Sequence, residues 1–198
     1  VAPTVATYNY STNEDAAILI KASDILGADS TVAGNTLSVT TLAVADGGHG
    51  TLVNNNNGTW TFTPTTGYVG SAAFTATISD GHTTVPQTVN VAVNDVAPTV
   101  ATLSYSMNED ATYTINTSTV LAADSTVAGN TLSISSMSVP AAQGSVALVG
   151  GNWVFTAATG FVGTANITAV IADNNGGHTN QAINLTVNDV APTVATYN

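Results

Sequence analysis

Apolar and polar residues alternate along this chain in short runs separated by Gly, Asn, Asp and Pro. Leu37 and Val39 alternate with Ser38 and Thr40, and Trp60 and Phe62 alternate with Thr59, Thr61 and Thr63. A period of two marks strands with one buried face. The first half of the chain contains seven such runs, at about 4–10, 16–20, 36–44, 50–53, 59–63, 71–79 and 85–93. The Asn-rich stretch Asn54 to Gly58 reads as the turn between the fourth and fifth. Seven strands at this spacing predict a sandwich of two antiparallel sheets.

The same pattern then returns. Val1 to Asn9 recurs unchanged as Val190 to Asn198, and Val96 to Thr102 is a near copy between them. The offsets are 95 and 94 residues. The expected organisation is therefore one repeat over 1–95, a second over 96–189, and the opening of a third over 190–198. Such a stretch is expected to come from a longer array. The predicted fold class is all-β, with two tandem seven-stranded sandwiches end to end.

Composition excludes several functions. Twelve acids face a single base, Lys21, for a net charge of −11. Nucleic acid is not an expected partner of such a chain. There is no Cys to staple the cores, and no apolar run reaches the ~18 residues a membrane helix needs. Disorder does not fit the regular alternation and low charge content. Ten of the twelve acids fall into repeat-equivalent pairs: Glu14/Glu109, Asp15/Asp110, Asp29/Asp124, Asp80/Asp173 and Asp95/Asp189. Asp24 and Asp46 have no counterpart.

Strand parity locates these acids. With the first strand running from top to bottom and each later strand reversing, Asp29 and Asp80 lie at the top. Glu14, Asp15 and Asp95 lie at the bottom. Joined end to end, two such domains would bring Glu14, Asp15, Asp95, Asp124 and Asp173 to one junction. Two like charges ~4 Å apart repel by about 4 kcal/mol at an effective dielectric near 20. Either the carboxylates take up protons or a cation binds. An all-oxygen donor set suits Ca2+ better than a transition metal. The plainer alternative is that these acids are solvated turn and cap residues. Outer half-sites would comprise Asp29 and Asp80 at one end, and Glu109, Asp110 and Asp189 at the other.

Several ordered motifs carry a resemblance. They are Asn13-Glu14-Asp15-Ala16, Gly27-Ala28-Asp29 through Gly34-Asn35-Thr36-Leu37, Gly50-Thr51-Leu52 and Trp60-Thr61-Phe62-Thr63-Pro64. Gly67-Tyr68-Val69-Gly70, Ile78-Ser79-Asp80-Gly81 and Val93-Asn94-Asp95-Val96-Ala97-Pro98 complete the set. Together they resemble the cadherin-like tandem repeats, about 95 residues long, of giant bacterial RTX-type adhesins. The resemblance implies an Ig/cadherin-like sandwich, Ca2+ at the linker between domains, an extender role at the bacterial cell surface, and export by a type I system. One departure stands out. Where the family often has Asp-x-Asp-Gly-Asp, this chain has Ser30 to Asn35 after Asp29, so part of the usual calcium set is absent.

Other residues have simpler readings. His82 and His178 sit near acids but lack the spacing of a zinc site. Trp60 and Trp153 alternate with their neighbours as core residues do, rather than as a sugar platform. No catalytic residues are assigned, and the paired acids at domain ends are poor candidates for glycoside hydrolysis. The leading expectation is a non-enzymatic, calcium-stiffened extender that projects distal binding domains for adhesion or biofilm formation. It would be an extracellular monomer whose partners are its neighbouring repeats, with no membrane insertion. The alternative is a module that itself binds a glycan or another adhesin.

Overall fold

The structure is a computed structural model of the chain, and it describes residues 1–45 and 47–192. Asp46 and residues 193–198, most of the expected third-repeat opening, lie outside the described residues. The chain divides into two compact units, the boundary falling between Val96 and Ala97.

The first unit holds β1 (Tyr8–Asn13), β2 (Ile18–Lys21), β3 (Ser38–Val44), β4 (Gly50–Asn54), β5 (Thr59–Pro64), β6 (Gly70–Ser79) and β7 (Thr84–Asn94). They form a four-stranded sheet, β1-β7-β6-β3, and a three-stranded sheet, β2-β5-β4. The second unit repeats the plan with β8 (Leu103–Asn108), β9 (Thr112–Ile115), β10 (Ser133–Ser138), β11 (Gly144–Val149), β12 (Asn152–Ala157), β13 (Gly163–Ala172) and β14 (His178–Asn188). Its sheets are β10-β13-β14-β8 and β11-β12-β9. Each unit is thus an all-β sandwich of seven strands.

Alternation explains the cores. Ala72, Phe74, Ala76 and Ile78 on β6 face inward, as do Val89, Val91 and Val93 on β7. They meet Trp60 and Phe62 from the other sheet. Phe62 and Phe74 pack edge to face at 5.0 Å, a favoured aromatic geometry. The second core keeps its volume while changing residues. The directly paired Phe74 and Val89 become Ile167 and Ile183. The pair Ala72 and Val91 becomes Ala165 and Leu185. Loss of an aromatic ring on one strand is balanced by larger aliphatics on its neighbour, the kind of exchange a packed core tolerates.

Three features differ from the expected strand pattern. The first strand begins at Tyr8, and ahead of it the ladder is reduced to an isolated bridge between Thr4 and Ser30. Parity fixed β1 and β7 in the same direction, and because they are neighbours the pairing is parallel, with Tyr8 opposite Val89 and Asn13 opposite Asn94. A short helix also follows the second strand of each unit, α1 (Ala22–Ile25) in the first and α2 (Thr117–Ala122) in the second. Each drops one apolar side chain into the core, Ile25 and Val120.

Candidate acidic sites at the ends of each repeat

The bottom of the first unit is built by the β1–β7 register. β1 ends at Asn13 opposite Asn94. The next amide, that of Glu14, donates to the Asn94 carbonyl at 2.8 Å. This turns the Glu14 side chain onto the outgoing chain, where its carboxylate accepts the Val96 N–H at 2.9 Å. Glu14 is only 2% exposed, so the sandwich buries a carboxylate against the segment that begins the next repeat. Asp15 takes a left-handed backbone conformation, φ 56°, and its carboxylate accepts the Gly67 N–H at 3.1 Å. Asp95 follows the last ladder pair of β7, at the same end.

The second unit reproduces this arrangement. The Glu109 amide donates to the Asn188 carbonyl at 2.9 Å, and its carboxylate accepts the Val190 N–H at 2.9 Å. Asp110 is left-handed at φ 58°. Asp189 follows the last ladder pair of β14.

At the top of the first unit, Asp80 is 3% exposed and serves as a hub. One oxygen accepts the His82 and Thr83 amides at 2.9 and 2.8 Å and the Thr83 hydroxyl. The other accepts the Asn35 amide at 3.1 Å and the Thr31 hydroxyl at 3.4 Å. The Thr83 and His82 amide bonds hold its carboxyl well below the usual carboxylate range. Its counterpart Asp173 is held differently. One oxygen accepts three amides, from Asn175, Gly176 and Gly177, at 2.9–3.0 Å. Its other oxygen is buried with no hydrogen-bond partner, and so is the hydroxyl of Thr126, which stands where Thr31 stands in the first repeat.

Asp29 and Asp124, both half-buried, lie against the incoming chain. Asp29 accepts the Ala6 amide at 3.1 Å and the Gln87 side-chain amide at 3.2 Å. Asp124 accepts the Ala101 amide at 3.1 Å and the Gln181 side-chain amide at 2.7 Å. The second oxygen of each carboxylate is buried without a hydrogen-bond partner. Burial raises the Asp124 carboxyl above its ordinary value, partly offset by the Ala101 amide.

Gln87 and Gln181 were not among the candidates read from sequence. The available signal was their parity: each takes an inward place on a strand whose other buried residues are Val, Ile or Leu. Of the ten candidate acids, Glu14, Asp15 and Asp95 share one end of the first unit, and Glu109, Asp110 and Asp189 the same end of the second. Asp29 and Asp80, like Asp124 and Asp173, lie on the loops at the opposite end. Among the described residues, no three His, Cys, Asp or Glu side chains gather closely enough to hold a metal ion.

The fold and these ends define a class: tandem β-sandwiches of the Ig and cadherin kind, with acids placed at the two ends of each. The model of the cadherin-like domain matches this chain twice, over residues 1–94 and 93–188. The chain belongs to the cadherin-like domain family. No curated protein matches it. Among solved structures it is similar to human protocadherin-24 EC1-2, at 14% identity and TM-score 0.37, with 96% of this chain and 100% of that one covered. It is also similar to the titin I-band fragment I67-I69, at 12% identity and TM-score 0.35, covering 94% of this chain and 66% of that one. A third is the endo-fucoidan hydrolase MfFcnA4 from glycoside hydrolase family 107, at 18% identity and TM-score 0.34, where 96% of this chain covers only 29% of the enzyme. The chain therefore spans less than a third of that enzyme's length.

Proposed function

We propose that this chain is a pair of extender repeats from a large bacterial surface adhesin, stiffened by calcium at the link between repeats. The observation that carries the proposal is a carboxylate bound to the outgoing chain, made twice: Glu14, buried, on the Val96 amide and Glu109, half-buried, on the Val190 amide. In each repeat the fold ties an acid to the segment leading into its successor, where a spacer controls its stiffness.

The donor chemistry fits a hard cation. The end residues offer carboxylate oxygens, and the chain's one basic side chain is Lys21. Three of the acids, Asp29, Asp124 and Asp173, carry a buried oxygen with no hydrogen-bond partner. A buried carboxylate left so is costly unless a charge of opposite sign reaches it. Glu14, Asp15 and Asp95 of one repeat, with Asp124 and Asp173 of the next, would hold the ion between repeats. Asp29 and Asp80, and Glu109, Asp110 and Asp189, would do so toward further repeats. When bound, calcium supplies positive charge that draws acids of two domains together. Extracellular modules commonly bind it at ~10⁻⁴–10⁻³ M. The array would be loose in a low-calcium cytosol and stiffen outside the cell, an order compatible with export of the unfolded chain.

Titration calorimetry tests the assignment. Asp95→Ala and Asp124→Ala should each lower the calcium bound per chain. If both variants bind as much as the parent, the ions lie elsewhere.

A further inference from the structure

We propose that Asn57 is a self-modification site, at which the folded turn between β4 and β5 drives loss of ammonia from the side chain without an enzyme or cofactor. The proposal stands apart from calcium and rests on a comparison of three asparagines in this chain.

Asn-Gly occurs twice in the chain, at Asn57-Gly58 and Asn175-Gly176. An asparagine ahead of a glycine is open to attack on its side-chain carbonyl carbon by the next backbone nitrogen, because glycine has no Cβ to crowd the approach. In the β4–β5 turn, Asn56 and Gly58 take left-handed backbone conformations, φ 58° and 80°. Asn57 Oδ1 reaches past Gly58 to accept the Thr59 N–H at 3.1 Å and the Thr59 hydroxyl at 2.7 Å. This is an Asx turn, and it holds Asn57 Cγ alongside the Gly58 nitrogen. Asn55 Nδ2 donates to the same Thr59 hydroxyl oxygen at 2.9 Å, which leaves the hydroxyl proton for Asn57. Both Thr59 donors point at the oxygen on which negative charge develops during attack, the arrangement that stabilises an oxyanion. Asn57 and Gly58 are exposed, and among the described residues the Gly58 N–H meets no acceptor.

The other two asparagines are held differently. The glycine after Asn175 has its N–H taken: Gly176 donates to Asp173 Oδ1 at 3.0 Å, and Asn175 Nδ2 donates to Asn130 at 2.8 Å. Asn54 Oδ1 accepts the Asn56 N–H at 2.8 Å, a turn of the same kind, but the intervening Asn55 carries a side chain and donates its N–H to the Thr59 carbonyl at 3.0 Å. Of the three, Asn57 joins a held oxygen to a free neighbouring nitrogen. The bond that forms runs from Gly58 N to Asn57 Cγ. The side-chain nitrogen leaves as ammonia, taking up the proton lost from Gly58 N. Water then opens the five-membered imide, at Cγ to give aspartate or at the backbone carbonyl to give isoaspartate. Either product adds a negative charge to a chain already at −11. Isoaspartate also lengthens the main chain at this point, which shifts the Gly58 carbonyl that accepts the Ala22 N–H at 2.9 Å at the start of α1. The corresponding turn of the second repeat is Gly150-Gly151 and is spared.

Peptide mass spectrometry of the two-repeat chain, aged at mildly alkaline pH, tests the proposal. Each modified peptide gains about 1 Da, and the peptides carrying Asn57 and Asn175 are followed separately. Each site's rate in the folded chain is set against its own rate in urea, where no turn persists. Asn57 should react at least as fast folded as unfolded. Asn175 should fall about tenfold or more below its own unfolded rate, because the Gly176 bond to a carboxylate must break before its nitrogen can attack. Asn57 slowed by folding, or Asn175 as fast folded as unfolded, overturns the proposal. Thr59→Val removes the hydroxyl donor and keeps the N–H, so it should slow Asn57 by about two- to tenfold in the folded chain and leave its rate in urea unchanged. A folded rate that Thr59→Val does not move overturns the role given to the turn.

Discussion

Replacing Gly50 with alanine puts a methyl group where the sandwich has no room. A Cβ at Gly50 would stand 2.3 Å from the Thr63 carbonyl oxygen and 2.6 and 2.9 Å from two ring carbons of Phe62. Ordinary contact is ~3.5–4 Å, so either β4 must lift or the ring must turn. Neither yields easily. Thr63 lies on the central strand of its sheet, and Phe62 is 1% exposed and wedged against Phe74. Overpacking of this kind costs ~1–3 kcal/mol. For a domain of this size each kcal/mol shifts the melting temperature by about 4–8 °C, so the first repeat should melt roughly 4–24 °C lower. Gly144 meets the same obstacles in the second repeat, 2.3 Å from the Thr156 oxygen and 2.8 Å from Phe155, at φ +151°. Gly144→Ala should therefore lower the melting of the other repeat by at least as much. Gly27→Ala is the control: nothing lies within 4 Å of its Cβ position and its φ needs no glycine. It should be neutral or stabilising by about 0.4–1 kcal/mol. Scanning calorimetry of the chain and its three variants reads all of this at once. If Gly50→Ala and Gly144→Ala melt with the parent, the close approach of β4 and β11 to the phenylalanines is wrong.

Other outcomes follow from the same geometry. Phe155→Ala, emptying a fully buried site, should cost ~3–5 kcal/mol by denaturant unfolding and spare the first repeat. Burial pushes the Tyr10 phenol up to about 12, helped by Asp24 and opposed by its bond to Lys21. Its contribution should be complete below its ordinary pH of ~10 and fade as pH rises from there through 12, a loss that Tyr10→Phe removes from the pH–stability curve. Asp80 has the opposite sign: in chelator its contribution should be complete above about pH 4 and fall away as the solution becomes more acid, with Asp80→Asn flattening that limb. A glycan array probed with the two-repeat chain should remain blank, and saturable binding would favour a module that itself recognises sugars.

Much of the fold was legible because one physical signal, alternation, recurs with little interference. Ala72, Phe74, Ala76 and Ile78 on β6 all face inward at period two. The pairing of the acids was legible because the repeat doubles each observation. Three things were not. Alternation gives a strand's direction and buried face but not its neighbour, so the parallel contact of β1 with β7 had to be seen. α1, four residues long, is too short to display a helical period. The roles of Asp29 and Asp124 were hidden because their partner is a glutamine more than 55 residues away, placed by the register of another strand. A carboxylate read from sequence as a loop ligand holds the incoming segment in the structure.

The central claim is that calcium sets the stiffness of the array, and small-angle scattering of the two-repeat chain addresses it most directly. In chelator the end carboxylates repel and the link near Val93 to Pro98 should let the repeats swing. With millimolar calcium the maximum dimension should settle to one narrow value and the melting temperature should rise. The stabilisation follows RT ln(1 + [L]/Kd), about 2.7 kcal/mol at 100 times Kd. Scattering profiles that superpose with and without calcium, together with an unchanged melting temperature, would contradict the account and leave a passive string of domains.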